Sequence, residues 1–226
     1  MHKLLPSVLL IPVLFVGCGA QKGPATSQTA DDNVRGADAP QASATQETSS
    51  ATGRSATDDP AAFAPVGATL VDTVHGDLTG RGTSDALVVF SPAGTGPQSL
   101  GDGSARTVIL LVRDASGRLQ KAAENARIVP CERCGGIAGD PYAYARIAAG
   151  TVALAVAGGS RERWFNDYVF RYAPARATWQ LDQVIRGVTD TQTGQQKQEE
   201  LTAADFGDIG FADFDPAALP AAPAFD

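Results

Sequence analysis

The sequence predicts an all-β fold: a single antiparallel β domain, as a sandwich, barrel or propeller-like sheet, placed after a signal peptide and a disordered linker. Three observations carry this. Short runs rich in branched and aromatic residues recur between Gly, Pro and Asp-containing turn signals. Residues 167–172 (Asp-Tyr-Val-Phe-Arg-Tyr) alternate, with the aromatics Tyr168, Phe170 and Tyr172 on one face. No segment after the N-terminal leader carries the long amphipathic period of a helix, and Gln195 to Ala204, whose composition is helical, has a poor apolar stripe. No repeat of fixed period is visible, so internal symmetry does not support a full propeller.

Taken from the N-terminus, His2 and Lys3 precede a nearly continuous apolar run from Leu4 to Val16, broken by Pro6 and Pro12. The run is too short for a membrane-spanning helix, and a basic start, short apolar core and small residue mark a cleaved signal over residues 1–17. From Gly19 to Ala62 the only large apolar residue is Val34. Such a stretch cannot bury enough surface to offset its ordering entropy, so 18–62 reads as a disordered linker. A flexible coil of that length spans roughly 35–40 Å.

The β-rich globular domain is expected over 63–214. Residues 107–112 (Thr-Val-Ile-Leu-Leu-Val) are a short apolar run rich in branched residues, a strand signal followed by a turn at Ser116-Gly117. Residues 144–148 and 151–156 flank Ala149-Gly150, a two-residue hairpin turn. The aromatic strand 167–172 pairs, across the Pro174 loop, with 178–182, where Trp179 and Leu181 share a face. The Ala- and Pro-rich residues 215–226 read as a disordered tail.

Composition narrows function. There are 18 Lys and Arg against 25 Asp and Glu, a formal charge of −7. No basic patch suited to a phosphate backbone is present, so nucleic acid is not an expected partner. Residues 199–226 carry seven carboxylates and neither Lys nor Arg, which reads as a solvated acidic face.

Four motifs could carry chemistry. The loop Gly76-Asp-Leu-Thr-Gly-Arg-Gly-Thr-Ser-Asp85 resembles the calcium loops of FG-GAP repeats. Calcium needs six to eight oxygens, yet only Asp77 and Asp85 keep ligand positions, and Arg81 puts a cation in the cage. A structural turn without metal is expected. Cys131-Glu-Arg-Cys134 has a spacing open to thiol exchange, half a zinc site or a local disulfide. The following glycines and Asp140-Pro141 disfavour the redox helix, and His75 is the one histidine beyond the leader. The expectation is a disulfide between Cys131 and Cys134. Third, Arg161, Arg163 and Trp164 stand in one short stretch after Gly158-Gly159, a candidate recognition loop because Arg and Trp dominate interface energetics. The fourth, the glycine-rich 94–103, lacks the Gly-Lys-Ser/Thr of a phosphate loop.

The leader carries a resemblance as well. Phe15-Val16-Gly17-Cys18 resembles the lipobox of bacterial lipoproteins. It implies cleavage before Cys18, acylation of its thiol and new amine, and a membrane partner through that lipid. Gly19 after the cysteine implies outer-membrane sorting, with the protein facing the periplasm of the cell envelope. The motif order over about 70–214 resembles a secreted bacterial β-rich family known mainly as uncharacterised, and the architecture is distantly similar to immunity lipoproteins that inhibit lysozyme-like toxins. The resemblance implies a protein-binding or inhibitory module whose partner is an envelope protein or such a toxin.

A catalytic set is not legible. His75 has no marked nucleophile, and Glu162 replaces the last glycine of a serine elbow at Ser160. A non-enzyme without cofactor is therefore expected. The alternatives are a cell-wall or carbohydrate-active hydrolase, whose carboxylate pair would be set by the fold, and a structural envelope component.

Overall fold

A computed structural model describes residues 58–94 and 99–225. The signal, Cys18 and most of the expected linker lie outside the described residues. Among the described residues, nine strands form two meanders. The first sheet runs in the order β1 (Thr69–Gly76), β2 (Asp85–Ser91), β3 (Arg106–Arg113), β4 (Leu119–Val129). The second runs β5 (Tyr142–Ala148), β6 (Thr151–Gly159), β7 (Glu162–Ala173), β8 (Thr178–Asp190), β9 (Gln196–Thr202). Every neighbouring pair is antiparallel and consecutive in the chain. Each connection can therefore be a short turn. The all-β expectation is met.

Alternation places the core. Leu87, Val89, Val108 and Leu110 of the first sheet share one buried cluster with Val152, Leu154, Tyr168 and Phe170 of the second. The two sheets thus bury facing apolar sides, as period-two patterning requires. β2 is buried on its other side too, where Ala86, Val88 and Phe90 join Ile109, Leu111 and Leu119, with Phe63 and Ala68 packed against them. That double burial explains why residues 86–90 read as an unbroken apolar run instead of alternating.

Trp179 locks the sheets at one end. It is 1% exposed, and its indole N–H donates to the Leu78 carbonyl at 2.8 Å. The same end holds the Ala149-Gly150 turn, where Gly150 N–H donates to Asp77 O at 3.0 Å.

Two segments differ from the sequence reading. The helical composition at Gln195 to Ala204 belongs to edge strand β9, followed by a single helical turn, Ala203–Phe206, with a capping box between Thr202 and Asp205. β8 offers a long pairing edge, and Leu201 opposite Val184 is buried while Lys197 and Glu200 face solvent. Charges on an edge strand also discourage further pairing.

The C-terminal residues are the second difference. Phe211 and Phe214 are fully buried and meet Phe170 and Tyr168 edge to face. Beyond them, Pro216–Ala218 make a 3-10 turn capped by Asp215, and Leu219 packs on the core. Arg186 Nη2 then donates to Ala221 O at 2.9 Å, and Lys197 Nζ to Ala224 O at 2.6 Å. Residues 221–224 are therefore held against β8 and β9. The composition suggested a loose tail because it offers little apolar surface; the holds come from donors far away in the chain. At the other boundary, Pro60–Phe63 form a 3-10 turn, and Asp58 pairs with Arg113 at 2.8 Å.

Candidate functional site

The end opposite Gly150 gathers three of the singled-out segments. Cys131 and Cys134 are joined (S–S 2.12 Å, Cα–Cα 5.0 Å), closing a tight turn. Gly101 N–H donates to Arg133 O at 2.9 Å, and Gly159 N–H donates to Gly135 O at 2.8 Å. Two backbone bonds thus pin the glycine-rich 99–104 loop and the β6–β7 turn to either side of the disulfide turn.

The β6–β7 turn needs its glycines. Gly159 has φ +103°, and a Cβ there would stand 1.9 Å from Glu162 O. At Gly158 a Cβ would stand 2.5 Å from the Trp164 ring. Only a side chain of hydrogen lets the turn reverse and the indole lie flat on it.

The structure separates the three expected recognition residues by role. Arg161 donates from Nε and Nη2 to Asp190 Oδ2 at 3.1 and 2.6 Å. Its carbonyl accepts both the N–H and the hydroxyl of Thr191. Asp190 is 3% exposed. The Arg161 bond, helped by the Thr193 and Gln192 N–H groups, holds its carboxyl down to about 2. Arg161 is therefore a brace between the β6–β7 and β8–β9 turns, with more than half of its side chain still in solvent. Arg163 and Trp164 belong to β7, where neighbours face opposite sides of the sheet. Arg163 is exposed, whereas Trp164 is half-buried against the core.

Other groups here carried no signal in the sequence. Arg106, 2% exposed, makes a two-pronged pair with Asp140 at 2.7 and 2.6 Å. Burial opposes ionisation of Asp140, but the Arg106 bonds and the Tyr142 N–H outweigh it and hold the carboxyl below its ordinary range. Tyr142 in turn donates to Asp72 at 2.6 Å, and burial with that bond pushes its hydroxyl pKa up. Arg106, Asp140 and Cys131 line a cavity of about 410 Å³ with Ser104 and Glu132. Around the same end, Ile137 is 76% exposed and Leu100 60%. Each is an isolated apolar residue amid glycines in a turn, and that placement is the signal that could have marked it.

The Asp77–Asp85 loop lies at the far end. Asp77 accepts the backbone N–H groups of Thr79, Arg81 and Gly82. The Gly82 bond contributes most to the lowering of its pKa. Asp85, fully buried, accepts Leu78 N–H, Arg113 N–H and the Thr83 hydroxyl. Arg81 Nε folds back to Thr79 Oγ1 at 2.9 Å. Both carboxylates are spent on protein donors, which hold the loop closed.

His75 is exposed on β1 next to Gly76, whose neighbour is Ile147 by the Gly150 turn. Ser160 stands beyond the other end of the nine-residue β6, about 27 Å away at ~3.3 Å per residue. These two are not brought together. No family model, curated protein or solved structure matches the chain.

Proposed function

We propose that this chain is a lipid-anchored envelope protein, held at Cys18 to the outer membrane and facing the periplasm, whose β domain binds another envelope protein. The binding surface is the end where the disulfide turn, the 99–104 loop and the β6–β7 turn meet. One observation carries the reading: Ile137 and Leu100 stand exposed on turns that a disulfide and two backbone hydrogen bonds hold rigid. Exposed apolar side chains on flexible loops would cost ordering entropy on binding; on braced turns most of that cost is already met by folding. Arg163 is exposed at this end, and Arg161, braced on Asp190, keeps more than half of its side chain in solvent; arginine is a residue type enriched beside apolar anchors in interfaces. A lysozyme-like toxin is the first partner to test, following the resemblance to immunity lipoproteins.

The test uses the anchored chain as bait in envelope extracts, comparing the wild type with Ile137→Asp/Arg163→Ala. Both sites are exposed, so melting should not move. Loss of one specific captured protein in the double variant is the expected result. Undiminished capture by the variant would refute this surface. Anchoring is tested separately: Cys18→Ser should abolish acyl labelling, and unchanged labelling would remove the lipoprotein reading.

A further inference from the structure

The C-terminal segment is held in two different ways. Up to Leu219 it belongs to the core. Phe211 and Phe214 are fully buried, and Asn125 Nδ2 donates to both of their carbonyls at 2.7 and 2.8 Å. Beyond Leu219 the grip changes. Among the described residues, no backbone–backbone hydrogen bond holds 220–225. The holds are Arg186 on Ala221 O, Lys197 on Ala224 O, and the Lys197 ammonium 5.3 Å from the Phe225 ring. Ala221, Ala222 and Ala224 are exposed, and Pro223 and Phe225 only half-buried. Beneath Ala222, Pro223 and Ala224 a void of about 370 Å³ remains, floored by Trp164, Arg186 and Val188. These floor residues face the same side because Trp164 pairs with Val188 and Val188 with Lys197.

The occupant is Leu-Pro-Ala-Ala-Pro-Ala-Phe. Leu219 has φ −70° and ψ 156°, the polyproline II region, and a residue before proline is biased towards it. A polyproline II strand satisfies none of its own carbonyls, so a groove that reads it needs an aromatic floor and side-chain donors aimed at carbonyl oxygens. Trp164, the 4%-exposed Arg186 and Lys197 supply these. Arg186 is pre-set for the task, since its Nε is engaged by Glu199 while Nη2 faces the peptide.

We propose that the groove over β7–β9 is a binding site for extended Pro- and Ala-rich peptides, and that residues 219–225 occupy it in cis. The fit in cis is incomplete, as the void shows, and only two carbonyls are read. A peptide in trans can therefore take the groove when the strap leaves. This site shares Trp164 with the β6–β7 turn but rests on other observations, and it stands whether or not the disulfide end binds a protein.

The probe is a fluorescein-labelled Leu-Pro-Ala-Ala-Pro-Ala-Phe amide, read by anisotropy against three chains: full length, ending at Ala218, and ending at Pro223. A tether this short presents its own segment at about millimolar effective concentration. The chain ending at Ala218 should bind the peptide with a dissociation constant below ~1 mM, and the full chain about tenfold more weakly. Replacing both prolines of the peptide with glycine should weaken it, and Lys197→Ala in the shortened chain should cost about tenfold. If the chain ending at Ala218 fails to fold, the one ending at Pro223 decides, since it keeps Leu219 and the Arg186 bond while freeing Lys197. Equal affinity of full-length and shortened chains, or no binding to a folded shortened chain, would overturn the proposal. Unfolding of both shortened chains would make the strap part of the core and overturn it equally.

Discussion

Replacing Asn125 with aspartate changes one nitrogen to oxygen at the point where β4 grips the C-terminal segment. Asn125 is 2% exposed and uses its whole amide. Its Nδ2 donates to Phe211 O and Phe214 O, and its Oδ1 accepts Arg127 N–H at 2.7 Å and Ile128 N–H at 3.1 Å. Aspartate keeps the two accepting bonds and loses both donating ones. Ionised, it sets a second oxygen against two carbonyl oxygens in a dry site. Two lost bonds and the unsatisfied acceptors left behind amount to about 3–5 kcal/mol, a large part of the ~5–15 kcal/mol that holds a domain folded. Protonated, the carboxyl donates to one of the carbonyls, and the deficit falls to about 1–2 kcal/mol. The neutral form is therefore preferred in the folded state, which raises the folded pKa above the unfolded ~3.9. With the folded pKa raised, the recovered stability is full below the unfolded value and is lost as pH rises through the folded one. A growth of about 2–3 kcal/mol in the deficit corresponds to roughly two pKa units. Urea unfolding followed by the fluorescence of Trp164 and Trp179, on both chains at pH 4 and pH 7.5, measures this directly. A deficit below about 1 kcal/mol at neutral pH, or one independent of pH, would refute the account of Asn125 as the fully used clasp.

Three further outcomes are expected. Cys131→Ala/Cys134→Ala should lower stability by about 1–2 kcal/mol, the low end for disulfides because the ring is small, and mass spectrometry after alkylation without reductant should find no free thiol at either position in the wild type. Asp190, held at about 2 by Arg161, contributes stability that is present above the unfolded pKa and lost as pH falls through the folded one; Asp190→Asn should flatten the acid side of the melting curve below pH ~4, and an unchanged slope would break the brace assignment. At the Asp77–Asp85 loop, calorimetry should detect no micromolar calcium binding in the wild type, whereas Arg81→Asp/Thr79→Asn should gain affinity; Asp85→Ala should cost about 2–4 kcal/mol, since it strands buried N–H donors of two chain segments.

The strands were legible because their signal is local. The alternation at Tyr168, Phe170 and Tyr172 and the glycine turn at Ala149-Gly150 are properties of a few adjacent residues, and period two admits one burial pattern whatever packs against it. The Cys131–Cys134 spacing was open to three readings, and the disulfide was expected because the following glycines, Asp140-Pro141 and the lone His75 left the redox helix and the zinc site unsupported. What local pattern cannot contain is the identity of the neighbour. Residues 196–202 became a strand because β8 had an open edge, against a helical composition. The C-terminal segment became part of the domain because Asn125, Arg186 and Lys197 offered donors from far along the chain to the carbonyls of Phe211, Phe214, Ala221 and Ala224. Arg161, Arg163 and Trp164 are adjacent in sequence, yet the pleat of β7 sends Arg163 and Trp164 to opposite sides and Asp190 claims Arg161. The meeting of the 99–104 loop, the disulfide turn and the β6–β7 turn is likewise a consequence of two sheets ending together. Sequence determined the strands and turns whose local pattern is strong, because those depend on neighbouring side chains. Tertiary structure alone decided which turns share an end and which carbonyls find a donor, because hydrogen bonds and apolar contacts act through space regardless of separation along the chain.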